Sequence, residues 1–515
     1  MVFSTIIFLF RFLPITLALY YLAPAKLKNT VLFLCSLVFY CWGEVRFFPG
    51  MVALILINYL SGLAIEHFDA KPALRRFFLL VALIGSLGML FYFKYANFVL
   101  RSVNALLGTA FAEIQGIGTL PLGISFYTFQ TLSYSIDVYR RDVKAERNII
   151  DFGAYVVMFP QLIAGPIVKY RDVSDQLHVY KHRYNLKQIE EGMTLFTFGL
   201  AKKVLLADAV GALWTDIIGV ADSPSTTFVG LANASTPLVW LGIIAYSLQL
   251  YFDFSGYSLM GIGMGKMLGF DFPANFNYPY ISASITEFWR RWHISLGAWM
   301  RDYLFYPFAL TKPMQRFGKW ATSHWGKHFG RVLPAAVANL LVFAVVGIWH
   351  GPQAHYLAWG LYNGLVIALA DLLEPAFKKL NTALHIPTES RGWHVFRIVR
   401  TFIIVNIGWY FDRNEFVQGC IYLRNTFTDF NFSALAANAP GAFAAVSGPA
   451  WGLVIISTLL VFAYSVLKEQ GRDPYAEVQR LPLALRWGLY YLVIFMVLLS
   501  FICVNETVGF LYANF

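Results

Sequence analysis

The chain of 515 residues is 58% apolar and 17% aromatic, and only 13% of its side chains are charged. That balance is too apolar and too poor in charge for a soluble enzyme. The net charge of +11 is no nucleic-acid footprint either, because the Lys and Arg residues fall in short loops between apolar runs, the distribution that orients membrane proteins with their basic loops inside.

Apolar windows of about 20 residues, the length a helix needs to cross the hydrocarbon core, recur along the whole chain. Spans are expected over 4–22, 29–43, 51–66, 77–99, 121–139, 192–219, 238–255, 332–350, 354–373, 395–411, 451–467 and 487–505. The first is read as a retained helix rather than a cleaved leader, since Met1–Thr5 carry no charged side chain and a second apolar run follows directly. The short alternating segments of a lipid-facing β-barrel are not seen. The expected fold class is an all-α polytopic integral membrane protein of about 11–13 transmembrane helices, in one domain over residues 1–515, because no repeat, low-complexity tract or linker divides it. Basic loops (26–28, 71–76, 140–147, 169–187, 312–331, 378–400, 468–486) alternate with neutral ones (102–120, 221–237, 428–450 and the tail after Cys503). Alternation places the first set in the cytoplasm and the second, with both chain ends, outside.

Two regions break this pattern. Residues 152–168 are apolar but interrupted by Pro160 and by Gly165-Pro166, with basic loops on both flanks. They are expected to enter and leave on one side, a backbone course tolerated at membrane depth only inside protein or along a cavity. In residues 282–308, Ser284 and Glu287 form a capping box that starts a helix. Phe288, Trp292, Leu296 and Trp299 then recur at helical spacing, so one amphipathic helix carrying His293 is expected to dip in from the cytoplasmic side.

Few side chains offer chemistry. His350 stands in Val-Val-Gly-Ile-Trp-His-Gly, between 332–349 and 354–370, neither of which holds a charged side chain. Ionisable groups at such depth usually mark a pathway or a reactive centre, and a neutral imidazole can take a proton from a hydroxyl. A histidine satisfied by a neighbouring helix fits the same position. His293, four residues after Trp289, can orient a substrate or anchor the membrane interface beside the tryptophans. Asp253, near the inner end of a span, is read as a structural charge held by a basic group or by amides, and Lys94 as a side chain that snorkels or pairs internally. Residues 312–331 hold Lys312, Arg316, Lys319, Lys327 and Arg331, with no acid. They can dock a polyanionic donor, such as the phosphates of coenzyme A or an acidic carrier protein, or simply express the inside-positive bias. The four cysteines form no Cys-x-x-Cys pair and suggest no metal. No Gly-x-Ser-x-Gly elbow, Walker loop, His-Glu-x-x-His or dinucleotide fingerprint occurs.

Five motifs occur in order: Pro-Leu-Gly-Ile-Ser-Phe-Tyr (121–127), Phe-Pro-Gln-Leu-Ile-Ala-Gly-Pro (159–166), Tyr-Phe-Asp-Phe-Ser-Gly-Tyr (251–257), Ile-Thr-Glu-Phe-Trp-Arg-Arg-Trp-His-Ile-Ser-Leu (285–296) and Gly-Ile-Trp-His-Gly (347–351). In these the chain resembles the membrane-bound O-acyltransferase family, nearest its alginate-acetylating branch and more distantly its teichoic-acid D-alanylating branch. The resemblance implies a ring of transmembrane helices around a thin centre with a tunnel between the faces. It places the family's catalytic histidine on His350 and the second histidine of the polysaccharide branch on His293. It also implies an acyl thioester donor, acetyl coenzyme A or an acyl carrier protein, as substrate from the cytoplasm, with no bound cofactor. The acyl group would leave towards an extracytoplasmic carbohydrate, handed on by a transferase of SGNH-hydrolase type, in the bacterial cytoplasmic membrane. The tail 509–515, Gly-Phe-Leu-Tyr-Ala-Asn-Phe, resembles endings in which a tyrosine accepts the acyl group, so Tyr512 is implied as an acyl relay. The chain departs from the alginate type between Arg301 and Leu333, which bears on the substrate rather than on the reaction. D-alanyl transfer, acylation of a lipid or protein, and a non-enzymatic polysaccharide conduit remain as rivals. The conduit predicts symmetric half-chains and charges paired along a pore, and the sequence shows neither.

Overall fold

The computed structural model describes residues 2–115, 120–163, 165–178, 185–211, 235–433, 448–472 and 474–503. Tyr512 and the rest of the tail lie outside the described residues. Every described element is helical. The contacts fall into two compact units, Met1–Lys203 with Phe254–Ala274, and Val204–Asp253 with Asn275–Cys503.

The first unit holds α1 (Leu13–Leu22), α2 (Lys28–Glu44), α3 (Phe48–His67), α4 (Pro72–Lys94), α5 (Ala96–Leu107), α6 (Ile124–Arg140), α7 (Ile149–Val157), the short α8 (Phe159–Leu162), α9 (Tyr170–His178) and α10 (Leu186–Ala201). The two spans expected at 29–43 and 51–66 form one helical run, Ala25–His67, kinked at Glu44 (φ −138°) where α2 gives way to a turn of 3-10 helix. Between α3, α4 and α6 a buried polar chain replaces lipid-like packing: Asn58 Nδ2 donates to Ser86 Oγ at 2.9 Å, and Ser135 Oγ donates to Asn58 Oδ1 at 2.8 Å. Interhelical hydrogen bonds of this kind hold helices together where apolar surface gains nothing by leaving lipid. Residues 152–163 are broken at Met158 and buried throughout. The Tyr155 hydroxyl donates to the Val168 carbonyl at 3.0 Å and the Phe159 amide to Ser36 Oγ at 3.2 Å, which satisfies irregular backbone inside protein.

The long α11 (Thr236–Met267) contributes residues to both units. The second unit continues with α12 (Ile285–Arg291), α13 (Ile294–Met300), α14 (Lys312–Trp325), α15 (Lys327–His350), α16 (Ala354–Leu372), α17 (Glu374–Ala383), α18 (Arg391–Arg413), α19 (Phe416–Thr428), α20 (Gly448–Glu469), α21 (Pro474–Arg480) and α22 (Leu483–Cys503). Ser390 starts α18 by accepting the Trp393 amide at 3.1 Å, as an N-cap serine does. Helices α15 and α16 pack face to face along a seam of glycines. A β-carbon at Gly347 would lie 2.5 Å from the Tyr356 carbonyl oxygen, and one at Gly360 would strike the Phe343 carbonyl. Only glycine allows backbones this close, the usual device of helix pairs in membranes.

By length and apolarity, four described runs can cross a membrane: Ala25–His67, Pro72–Lys94, Thr236–Met267 and Lys327–His350. The pair α16 and α17, bent by 57°, makes a fifth if counted as one span. The described parts of the other expected spans are largely helical too.

Candidate active site

His350 is the last residue of α15. Its side chain is 4% exposed, and its Nδ1 lies 3.9 Å from Oδ1 of Asp412, whose side chain is 2% exposed. That separation is ion-pair rather than hydrogen-bond distance. Asp412 is placed by α18, and its second oxygen, Oδ2, accepts a hydrogen bond from the Tyr246 hydroxyl of α11 at 2.6 Å. The same two helices are tied again by Ser247 Oγ donating to Asn406 Oδ1 at 2.7 Å. On the other side, His355 Nδ1 of α16 donates to the Phe411 carbonyl at 2.8 Å, fixing the backbone next to Asp412. The result is a buried order Tyr246–Asp412–His350, an imidazole facing a carboxylate that a phenol holds still.

His293 is where the sequence expectation needs correcting. No single amphipathic helix runs through it: α12 ends at Arg291, and His293 takes the left-handed conformation (φ 44°, ψ 55°) before α13 starts. The capping box is present, with Ser284 Oγ accepting the Glu287 amide at 3.2 Å, although the Glu287 carboxylate reaches back to the Ala283 amide, at 2.8 Å, rather than to that of Ser284. The break comes from Asn275. Its carbonyl accepts the Ile294 amide at 2.9 Å, and its Oδ1 accepts the Ser295 amide at 3.3 Å and the Ser295 hydroxyl at 2.9 Å. The backbone donor identifies that side-chain atom as the oxygen, so His293 Nδ1, 2.9 Å away, must be its donor. The Nδ1–H tautomer leaves Nε2 as the acceptor nitrogen. Left-handed non-glycine residues cost free energy and cluster at working sites.

Tryptophans lead from His350 to Trp292, the residue before His293. Trp292, beside His293, has its ring 5.4 Å from Trp409. Trp409 stacks at 6.1 Å on Trp359, and Trp359 lies 4.7 Å from the His350 imidazole. Trp289 touches both Trp359 (5.7 Å) and Trp409 (6.4 Å), and its Nε1 donates to Asn363 Oδ1 at 3.3 Å. The His350 imidazole is thus buried against this aromatic wall, and His293 is separately buried on Asn275, while the Asp412 carboxylate faces His350. This arrangement can accept a proton from a hydroxyl and stabilise the imidazolium that forms.

The remaining expected residues lie elsewhere. Asp253 is buried in α11, and Lys94 is half-buried at the end of α4. The basic stretch folds into a hairpin, α14 turning into α15 at Gly326 (φ 89°). Lys319, Lys327 and Arg331 line one open groove of about 560 Å³, whereas Lys312 and Arg316 do not. Among the described residues, none of the five cations pairs with a carboxylate. Asp412, Tyr246, Asn275, Trp359 and Trp409 were not anticipated from sequence. Their only signal is polarity or large aromatic size inside apolar helices.

The model of the membrane-bound O-acyltransferase family, MBOAT, matches residues 90–406. Similar proteins include the "Probable alginate O-acetylase AlgI" of Pseudomonas syringae pv. tomato, 40% identical over 93% of this chain and 85% of that protein. The "Peptidoglycan O-acetyltransferase" of Helicobacter pylori is 31% identical over 82% of this chain and 78% of its own length. The "Teichoic acid D-alanyltransferase" of Bacillus subtilis is 31% identical over 56% and 67% respectively.

Proposed function

The chain belongs to the membrane-bound O-acyltransferase family and is a multi-pass membrane O-acyltransferase; from that premise we propose that it moves an acetyl group from a cytoplasmic thioester across the bacterial inner membrane towards a cell-surface polysaccharide. The observation that carries this reading is the Tyr246–Asp412–His350 order, buried at the end of α15. His350 takes the proton of the acceptor hydroxyl as its oxygen bonds to the thioester carbonyl carbon. The tetrahedral oxyanion collapses, the C–S bond breaks, and the leaving thiolate takes the proton back from the imidazolium. Asp412 stabilises the imidazolium between these two steps, and Tyr246 holds Asp412. His293, fixed as the Nδ1–H tautomer by Asn275, offers Nε2 as an acceptor that orients donor or acceptor. Lys319, Lys327 and Arg331 receive the donor's negative charge, the phosphates of coenzyme A or the acidic face of a carrier protein. A separate extracytoplasmic transferase of SGNH-hydrolase type completes the transfer to the polymer, with Tyr512 as the relay that hands the acetyl group on.

Support for acetyl over D-alanyl lies in the relatives: the acetylases match more of this chain, and at higher or equal identity. Mass spectrometry of envelope polysaccharide, from cells with and without the chain, tests the proposal. Acetyl esters that vanish with the chain support it, D-alanyl esters that vanish instead assign the rival substrate, and an unchanged envelope refutes both.

A further inference from the structure

Acyl transfer by His350 builds a full negative charge on the carbonyl oxygen of the thioester. A carboxylate such as Asp412 cannot hold that charge, and the proton on His350 is needed by the leaving thiolate. The step therefore calls for a preorganised hydrogen-bond donor aimed at the oxyanion, usually the largest single contribution to rate in acyl transfer.

Trp359 fits that requirement. It is 2% exposed, and its ring lies 4.7 Å from the His350 imidazole, against 5.1 Å for Trp349 and 5.9 Å for Tyr356. Its one polar side-chain atom, Nε1, is buried and has no hydrogen-bond acceptor among the described residues. An indole N–H can only donate, and a buried donor left unpaired is costly, so folded proteins rarely keep one without a use. The neighbouring ring shows the ordinary solution: Trp289 Nε1 donates to Asn363 Oδ1 at 3.3 Å. Asn363 stands one turn after Trp359 on α16 and donates to the Trp359 carbonyl at 2.9 Å, yet its oxygen serves Trp289. Trp409 stacks on Trp359 at 6.1 Å, and its indole faces the Tyr280 hydroxyl. Gly360, the next residue, is locked against the Phe343 carbonyl of α15, so the backbone that carries Trp359 is fixed before any substrate arrives.

We propose that Trp359 is a further catalytic residue, its Nε1–H donating to the thioester carbonyl oxygen as that oxygen becomes an oxyanion; the assignment rests on the acyl-transfer reading of the site. Nδ1 of His350 faces Asp412, so Nε2 is the nitrogen that meets the acceptor hydroxyl, at about 2.6–3.2 Å. The carbonyl carbon is one bond beyond that hydroxyl oxygen and the oxyanion one bond further, which leaves it beside the rings that cover the imidazole. As the O–C bond forms, the hydroxyl proton passes to Nε2 and the carbonyl π pair moves onto oxygen, where the indole N–H holds it at about 2.7–3.1 Å. On collapse the pair returns to the carbonyl, the C–S bond breaks, and the thiolate takes the proton from Nε2. The indole keeps its own proton throughout.

The amino acid 3-benzothienylalanine keeps the fused ring of tryptophan and carries sulfur in place of N–H. Placed at Trp359 of the full-length chain by nonsense suppression, it removes the donor and little else. Envelope acyl ester formed per unit of membrane-extracted protein, in cells with this chain as their only copy, should fall about 10²–10³-fold. The thermal midpoint of the purified protein should stay level or rise, because the lost N–H has no acceptor in the resting fold; loss of a structural hydrogen bond would lower it. The same isostere at Trp487, which is exposed on α22, should leave the rate unchanged. A normal rate with the isostere at Trp359, or rate and midpoint falling together, overturns the proposal, and so does a loss confined to the isostere at Trp349. His350→Ala, assayed alongside, keeps two failures apart. If it too transfers normally, the acyl-transfer reading is wrong; if it is inactive while the Trp359 isostere is active, only the role of Trp359 is.

Discussion

Replacing Asp412 by Asn removes a charge while nearly conserving shape, and so isolates the electrostatic part of the proposed mechanism. With Nδ1 and Oδ1 3.9 Å apart, an imidazolium and a carboxylate attract by about 4 kcal/mol at an effective dielectric of about 20. Both side chains are almost fully buried, so little solvent screens the pair. The Tyr246 hydroxyl draws part of the negative charge to the other oxygen, which lowers the attraction felt by His350. The imidazolium exists only after proton transfer, so the loss falls on the transition state and not on donor binding. Asp412→Asn should therefore lower acyl transfer about 10²–10³-fold with the apparent donor affinity unchanged. The assay is acetyl ester per unit of membrane-extracted protein, in cells carrying each variant as their only copy. A double-mutant cycle gives the decisive comparison: in a His350→Ala background, Asp412→Asn should cost almost nothing further, because groups acting as a unit are grossly non-additive. Full activity of the single variant at normal abundance, or its full cost persisting without His350, would refute the pairing.

His350→Ala should reduce transfer about 10²–10⁴-fold, the usual cost of losing a general base, at near-normal abundance; His293→Asn, which tolerates the left-handed backbone and so preserves the bend, should lower activity less, and normal activity there demotes His293 to a structural anchor. Lys319→Glu combined with Lys327→Glu should weaken donor affinity, most strongly at low salt where exposed charges are least screened; an unchanged affinity at low salt returns these residues to plain topology signals. Gly360→Ala should lower the thermal midpoint through overpacking of α15 against α16, typically about 1–3 kcal/mol, and an unaltered midpoint would show that the seam yields. Tyr512→Phe removes only a hydroxyl, and a normal acylation rate in that variant rules out the relay.

Helix content and the position of His350 could be read from the chain because both rest on local pattern: long uncharged runs, and one histidine between two of them. The capping box at Ser284 is likewise local, which is why the start of α12 was predictable. The bend at His293 was not. Phe288, Trp292, Leu296 and Trp299 keep helical spacing straight through it, so periodicity favours one continuous helix. The break is imposed from outside by Asn275, whose carbonyl and side-chain oxygen take the Ile294 and Ser295 amides. No residue within the helix signals it. Asp412 was hidden for a different reason. It stands beside Arg413 at the end of a span, where a charge is ordinarily solvated, and only the packing of α18 against α16 brings it to His350. In the basic stretch, charge alone could not distinguish Lys319, Lys327 and Arg331 from Lys312 and Arg316. The turn at Gly326 selects the first three for the groove.

The glycine seam makes the imidazole a fixed post. Where the Gly347 backbone sits against the Tyr356 carbonyl, α15 cannot slide or tilt without dragging α16, and α16 is pinned through His355 to the Phe411 carbonyl. A carrier works by rocking one bundle past another around its cargo. On the proposed mechanism the proton acceptor, His350, has no such freedom, so its reach is set by the length of one side chain. The reacting carbonyl and hydroxyl must travel to it, and traffic between the two faces of the membrane is then a property of the moving molecules rather than of the helices that hold the base.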